Sequence, residues 1–293
     1  TYRQSLLPAE ITFLSDFNFK SSYFYVLPKI HKSDIVTSFC SASNYSFVDI
    51  GSYPDDLVSR PIISNVESPT SHLSHFVDRV LLPFISVVPS YIKDSFDFLN
   101  KIPRSIIGHF FFVSLDVSNL YTIIPKDFGL ESIQFWLTKF PHLLDSRFSI
   151  NFILSSIELI LENNYFSFMQ NTYIQNTGTA MGTKMAPKYA HLVMAYLEEK
   201  FKSECNKKIG YTNTNLFFQN YFRFLDDIFI ITKLNITDLH DFISFLQSFH
   251  PSFKFTYIIN SKEINFLDIK IININADIET DLFKKPTDSC RYL

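Results

Sequence analysis

The sequence predicts an α+β fold in which an antiparallel sheet is backed by helices. Short apolar runs bounded by turn residues alternate with longer segments of helical spacing. The run from 221 to 231 folds back on itself around Asp226-Asp227 as a hairpin. Aromatic residues make up 17% of the 293 positions, 33 Phe and 15 Tyr among them, enough for a large packed interior with some rings left to stack on bases. Composition is even throughout, with no repeat and no low-complexity linker, so residues 1–293 are expected to form one domain.

Composition also excludes. A formal charge of −3 provides no global basic field, and six glycines argue against glycine-built phosphate loops. Cys40, Cys205 and Cys290 are too far apart for paired metal-ligand spacing. No apolar run reaches membrane-spanning length and no signal peptide is visible, so no membrane partner is expected. Thr1 is not an initiator methionine, and the chain reads as an excised fragment.

Taken in order, residues 21–28 form a strand stopped at Pro28, followed by the cationic cluster Lys29-Ile30-His31-Lys32. A polar loop is expected over 33–57, where Asp55-Asp56 is a solvated turn, and then a strand over 58–64 carrying Arg60. Lys and Arg at the ends of two strands could clamp a triphosphate, and they equally suit a solvated surface turn. Helical spacing covers 70–82 and 91–101, with His72 and His75 as packing or surface residues. Residues 109–116 make a nearly continuous apolar strand, buried on both faces, which places its terminal Asp116 at the mouth of a sheet. Residues 117–125 pass tightly into a helix over 126–139, and Tyr121 is close enough to share the Asp116 pocket or to pack in the core.

A helix over 149–161 precedes a hairpin, 165–169 with 172–175, turning at Gln170-Asn171. The segment 178–187 holds two glycines and leads into a helix over 186–203, a turn that allows close backbone approach by a ligand or simply caps the helix. A helix over 237–249, a strand over 253–258 carrying Lys254, and strands over 264–274 and 278–283 complete an antiparallel set.

Aspartate pairs favour turns for local hydrogen-bonding reasons. At Asp226-Asp227 the apolar flanks make uncompensated charge costly, so a cation is the natural partner. With Asp116, three aspartates end or turn strands of one sheet. Such a set would hold two Mg²⁺ ions, with Mn²⁺ as substitute, for an in-line phosphoryl displacement. The order of strand and Asp, glycine turn and helix, then Asp-Asp hairpin suits a palm-type polymerase.

The runs Tyr25-Val26-Leu27-Pro28-Lys29-Ile30-His31-Lys32, Arg60-Pro61-Ile62 and Tyr91-Ile92-Lys93-Asp94-Ser95 resemble the reverse transcriptase of Penelope-like retroelements. So do Leu115-Asp116-Val117-Ser118-Asn119-Leu120-Tyr121-Thr122, the block Gly178-Thr179-Ala180-Met181-Gly182-Thr183-Lys184-Met185-Ala186-Pro187, Phe224-Leu225-Asp226-Asp227 and Lys285-Pro286-Thr287-Asp288. The blocks occur in the family's order from about residue 20 onward. The resemblance implies right-hand polymerase fingers at roughly 20–108 and 128–177 and a palm at roughly 109–127 and 178–285. The thumb and the family's GIY-YIG endonuclease are expected to fall outside the chain.

The implied activity is RNA-directed DNA synthesis from an RNA template, a DNA primer and dNTPs, in the nucleus, with no protein partner inferable. By position, Asp116 and Asp226 would be the metal ligands, with Asp227 beside them supporting the site or the primer end. Tyr121 would be the steric gate against a ribose 2′-hydroxyl. Lys29, Lys32 and Arg60 would meet the triphosphate, and Met181 and Gly182 would lie against the incoming nucleotide and template. Lys254 would match the lysine that protonates departing pyrophosphate, and it equally suits an ordinary exposed strand lysine. The rival expectation is a catalytically inactive, nucleic-acid-binding remnant of the same fold. A phosphohydrolase or cyclase on the same kind of sheet finds no support in the Lys and Arg segments near residues 29–60.

Overall fold

The computed structural model describes residues 3–16, 18–42 and 49–284. Its centre is a four-stranded antiparallel sheet in the order β6 (Asn220–Phe224), β7 (Asp227–Thr232), β3 (Phe111–Val117), β8 (Phe255–Asn260). Strands β7 and β3 are the inner pair, so their apolar residues are covered on both sides, as the unbroken hydrophobic run of β3 predicts. Alternation divides those residues between two cores. Val113, Leu115, Ile228 and Ile230 point into the larger one, against α3 (Ser71–Ile85), α6 (Lys126–Lys139), α7 (Ile150–Glu162), α8 (Ala186–Lys208) and α10 (Ile236–Phe249). Phe112, Phe229 and Ile231 point the other way, against α4 (Ser95–Lys101) and a second sheet, β11 (Asp277–Leu282), β10 (Ile269–Ile274), β9 (Glu263–Phe266). Trp136 fastens α6 to α8 by donating its indole N–H to the Leu192 carbonyl at 2.9 Å inside the larger core.

A third sheet lies apart from these cores in sequence and in character. It runs β2 (Ser59–Ser64), β1 (Tyr23–Pro28), β4 (Tyr165–Phe168), β5 (Asn171–Ile174). β1 is antiparallel to β2, with Leu27 opposite Arg60, and parallel to β4, with Tyr23 opposite Ser167. Five of the six residues of β1 are exposed.

Several expectations require correction. The loop expected over 33–57 contains a helix, α2 (Asp34–Ala42), whose side chain Val36 is buried. Its first turn is held from a distance. Ser33 Oγ accepts from the Val36 N–H at 3.1 Å and donates to Asp56 Oδ1 at 2.6 Å, while Asp56 Oδ2 accepts from the Ile35 N–H at 3.1 Å. The Ser33 hydroxyl bond is the main reason the Asp56 carboxyl lies below its ordinary value. Asp56 is thus a helix clamp and not an idle loop residue.

The β4–β5 hairpin turns at Met169-Gln170, both left-handed, one residue before the expected Gln170-Asn171. The expected strand over 264–274 is two strands, β9 and β10, reversed at Leu267-Asp268, and they belong to a sheet separate from β8. The helix expected from residue 91 starts at Ser95, where the Asp94 carboxylate accepts from the Asp97 N–H at 2.8 Å. Tyr91 instead bridges the edge strand at Arg223. Helices α1 (Pro8–Ser15) and α9 (Tyr211–Phe218) were not anticipated from the pattern. The short α5 (Leu120–Ile123) occupies the tight passage after β3. The block Lys285-Pro286-Thr287-Asp288 lies outside the described residues. Among the described residues, no helix is long and apolar enough to cross a membrane.

Candidate active site

Register brings the aspartates together. The antiparallel pairing of β3 with β7 sets Asp116 directly opposite Asp227, and Asp226 sits in the two-residue turn between β6 and β7. That turn depends on Leu225, whose φ of 54° is left-handed, a conformation that costs a non-glycine residue on the order of 1 kcal/mol. The turn is tied to the end of β3, since the Val117 N–H donates to the Asp226 carbonyl at 3.1 Å. Next to it the Ser118 N–H donates to the Lys254 carbonyl at 2.9 Å.

A cavity of about 530 Å³ opens at this point, between the end of the central sheet and the third sheet. Asp116, Asp226, Tyr121 and Thr256 line one side, Met181 joins them, and Lys29, Lys32 and Arg60 line the other with Leu27 and Ile62. The three cations of the β1–β2 end therefore face the two carboxylates of the central sheet across one space. Lys32 Nζ comes within 3.7 Å of Asp116 Oδ2. Burial pushes the Lys29 ammonium down from its ordinary value, and Lys32 and Arg60 add to the effect. Asp226 is shifted the other way. Burial raises its carboxyl above the ordinary value and the neighbouring Asp116 charge raises it further. The two acids repel one another in a partly buried mouth, and Arg60 and Lys32 offset part of that repulsion.

Tyr121 lies on α5 with its phenol against Asp226, and burial together with that carboxylate pushes it up to about 12, so the ring is neutral at any working pH. Its backbone is packed from beneath. The Thr179 N–H donates to the Tyr121 carbonyl at 2.7 Å, and a Cβ on Gly178, at φ 69°, would lie 2.2 Å from that same oxygen. Gly182 is likewise needed for close approach, since a Cβ there would lie 2.2 Å from the Ile63 carbonyl. Gly182 therefore seats the segment before α8 on the end of β2, while its neighbour Met181 reaches the cavity. Lys254 is exposed just before β8 and is not among the lining residues; Thr256, two positions later, is. Asp227 is also outside the lining.

Beneath the turn is an arrangement the sequence reading did not single out. Arg223, in β6, is fully buried. Its Nε donates to Glu198 Oε1 at 2.6 Å, Nη2 lies 3.4 Å from Glu198 Oε2 and 3.2 Å from the His191 carbonyl, and Nη1 donates to the Leu225 carbonyl at 3.2 Å and to His191 Nδ1 at 3.1 Å. Ser90 Oγ donates to Glu198 Oε2 at 2.6 Å. One signal was available: a single arginine inside an apolar strand, and a His and a Glu seven residues apart on one helical face.

Among the described residues, no three His, Cys, Asp or Glu side chains form a metal-binding group. The cavity offers two carboxylates, which suits Mg²⁺, an ion that takes one or two protein carboxylates and completes its shell with water and substrate phosphate.

No family model matches this chain, and no curated protein matches it by sequence. Solved structures do. Telomerase from Candida tropicalis in complex with a TWJ fragment of telomeric RNA matches with a TM-score of 0.57 at 15% identity, over 82% of this chain and 44% of that one. The apo telomerase from the same organism, truncated from the C-terminal domain, matches with a TM-score of 0.55 at 13% identity, over 76% and 52%. The BmCPV RNA-dependent RNA polymerase in its quiescent state matches with a TM-score of 0.59 at 10% identity, over 91% and 22%. The chain thus spans between about a fifth and a half of the length of these proteins. Helix-backed antiparallel sheets, a carboxylate turn at the strand ends and a facing cationic sheet together give this chain the fingers and palm fold of nucleic-acid polymerases.

Proposed function

We propose that the chain is the catalytic fingers and palm of an RNA-directed DNA polymerase of the Penelope-like retroelement type, acting in the nucleus on an RNA template, a DNA primer and dNTPs. The observation that carries this reading is the cavity itself, where Asp116 and Asp226 face Lys29, Lys32 and Arg60 with Tyr121 beside them. A likeness to telomerase and to RNA-dependent RNA polymerase supports it at the level of the fold.

Asp116 and Asp226 would hold the divalent cations, Mg²⁺ or Mn²⁺, with Asp227 next to them on the adjoining strand. When bound, such ions supply positive charge to activate the primer 3′-hydroxyl and to neutralise the departing pyrophosphate. Lys29, Lys32 and Arg60 would bind the triphosphate, Arg60 with a planar fork suited to phosphate oxygens. Lys32 would exchange its contact with Asp116 for one with phosphate, so that substrate and cation enter a site already close to charge balance. Tyr121 would stand against the sugar, where a 2′-hydroxyl would collide with its ring. Lys254 would reach the leaving group only from outside the cavity lining, through a change in its side-chain position.

Primer extension on an RNA template with Mg²⁺ tests the reading. Wild type should extend the primer, and Asp226→Asn should lose about a thousandfold in rate while keeping its fold and its template binding. Activity unchanged in that variant would end the catalytic reading. A well-folded, template-binding wild type that fails to extend would favour the inactive remnant. In the same assay Tyr121→Ala should incorporate ribonucleotides more readily; unchanged sugar selectivity would remove it from the gate.

A further inference from the structure

We infer that Arg223 is a positioning residue of this site, whose guanidinium fixes the peptide plane between Leu225 and Asp226 and so sets where the Asp226 carboxylate points. The inference rests on the reading of Asp226 as a cation ligand. It begins with the fact that Arg223 is 0% exposed. A buried guanidinium is retained only where its donors are met. A guanidinium has five N–H donors. Here they face Glu198 Oε1, Glu198 Oε2, the His191 carbonyl, His191 Nδ1 and the Leu225 carbonyl. Burial and the Arg223 charge push His191 down to about 2, which keeps its ring neutral, and the Arg223 N–H facing Nδ1 selects the tautomer with its proton on Nε2.

An ion pair with Glu198 alone would neutralise the charge. The additional bond to Leu225 goes to the one carbonyl that defines the peptide plane entering Asp226. The plane leaving Asp226 is held as well, since its carbonyl accepts from the Val117 N–H. Asp226 therefore sits between two pinned peptides, one fixed to the core through Arg223 and the other fixed to the strand that carries Asp116. Arg223 is itself held by its backbone, donating to the Ser90 carbonyl at 2.7 Å and accepting from the Ile92 N–H at 3.0 Å. Its reach thus relates α8, the 90–92 segment and the turn in one rigid unit. A lysine could keep the charge and the Glu198 contact. Its point-like ammonium lacks the planar fork needed to reach His191 and Leu225 at once.

The test is Mn²⁺ titration followed by electron paramagnetic resonance, beside thermal melts, on wild type, Asp226→Asn, Arg223→Lys and the double variant Arg223→Met/Glu198→Met. The double variant removes the buried guanidinium and its partly buried carboxylate partner together, a change that commonly preserves stability. Folded Arg223→Lys and the folded double variant should bind Mn²⁺ about tenfold to a hundredfold more weakly than wild type. In primer extension kcat should fall with the KM for dNTP unchanged, because the facing cations are untouched. Wild-type Mn²⁺ affinity in either folded variant, while Asp226→Asn loses it, overturns the positioning role and leaves the metal site standing. Wild-type affinity in Asp226→Asn overturns the metal site and this inference with it.

Discussion

The molecule contains the same turn twice. Phe224-Leu225-Asp226 reverses β6 into β7, and Phe266-Leu267-Asp268 reverses β9 into β10. Both leucines are left-handed with φ 54°. Asp226 is half-buried, faces Asp116 and three cations, and has a raised carboxyl. Asp268 is exposed, and its carbonyl accepts from the Phe283 N–H at 2.9 Å. Three residues before Asp226 stands buried Arg223; three before Asp268 stands exposed Asn265. The local sequence makes a turn, and the chemistry comes from what lies opposite and underneath it.

The largest expected contrast is in rate. Asp226→Asn should reduce primer extension about a thousandfold, whereas Asp268→Asn should leave it within about twofold, a surface change remote from the cavity. Equal effects would break the contrast. Next in size is the cationic side. Arg60→Ala should raise the KM for dNTP about tenfold, the worth of one charge-assisted hydrogen bond, with no fall in the melting temperature because β2 is largely exposed there.

The smallest effect is in stability, and its sign is informative. Asp226 holds its proton in the folded chain at a pH where the unfolded chain has released it. Its ionisation therefore lowers stability once the pH rises past the ordinary carboxylate value. Asp226→Asn should melt higher than wild type near neutral pH, because it removes a partly buried charge that burial and Asp116 disfavour. The gain should vanish in acid, where wild type is protonated, and shrink when Mg²⁺ is added. Asp268→Asn should change stability by less than about 0.5 kcal/mol at either pH.

Much of this was legible in the sequence where periodicity and burial agree. The strand ending at Asp116, the hairpin at Asp226-Asp227 and helices α6, α7, α8 and α10 follow from apolar spacing alone. The residues that failed to announce themselves are held by distant partners. α2 is short, rich in Ser, Thr and β-branched residues, and its start is fixed by Asp56, about two dozen positions further on. The Met169-Gln170 turn is left-handed without the glycine or asparagine that would have marked it. Arg223 looked like a polar interruption of a strand, because its partners Glu198 and His191 belong to a helix packed against it from elsewhere in the chain. Cavity composition followed the same division: the carboxylates were plain from their strands, while Thr256 entered only through the pairing of β8 with β3.

The parallel pairing of β1 with β4 bears on how the protein is made. Residue 23 meets residue 167 there, so the sheet that carries Lys29, Lys32 and Arg60 cannot close until synthesis has passed residue 174. The central sheet closes later still, since β8 ends at Asn260. In order of synthesis the strands of the cationic sheet are thus all made before those of the carboxylate sheet are complete, and β3 waits for β7 to supply its partner. Pairings this far apart in the chain close slowly, and the nascent Asp116 strand spends that interval with both edges unpaired.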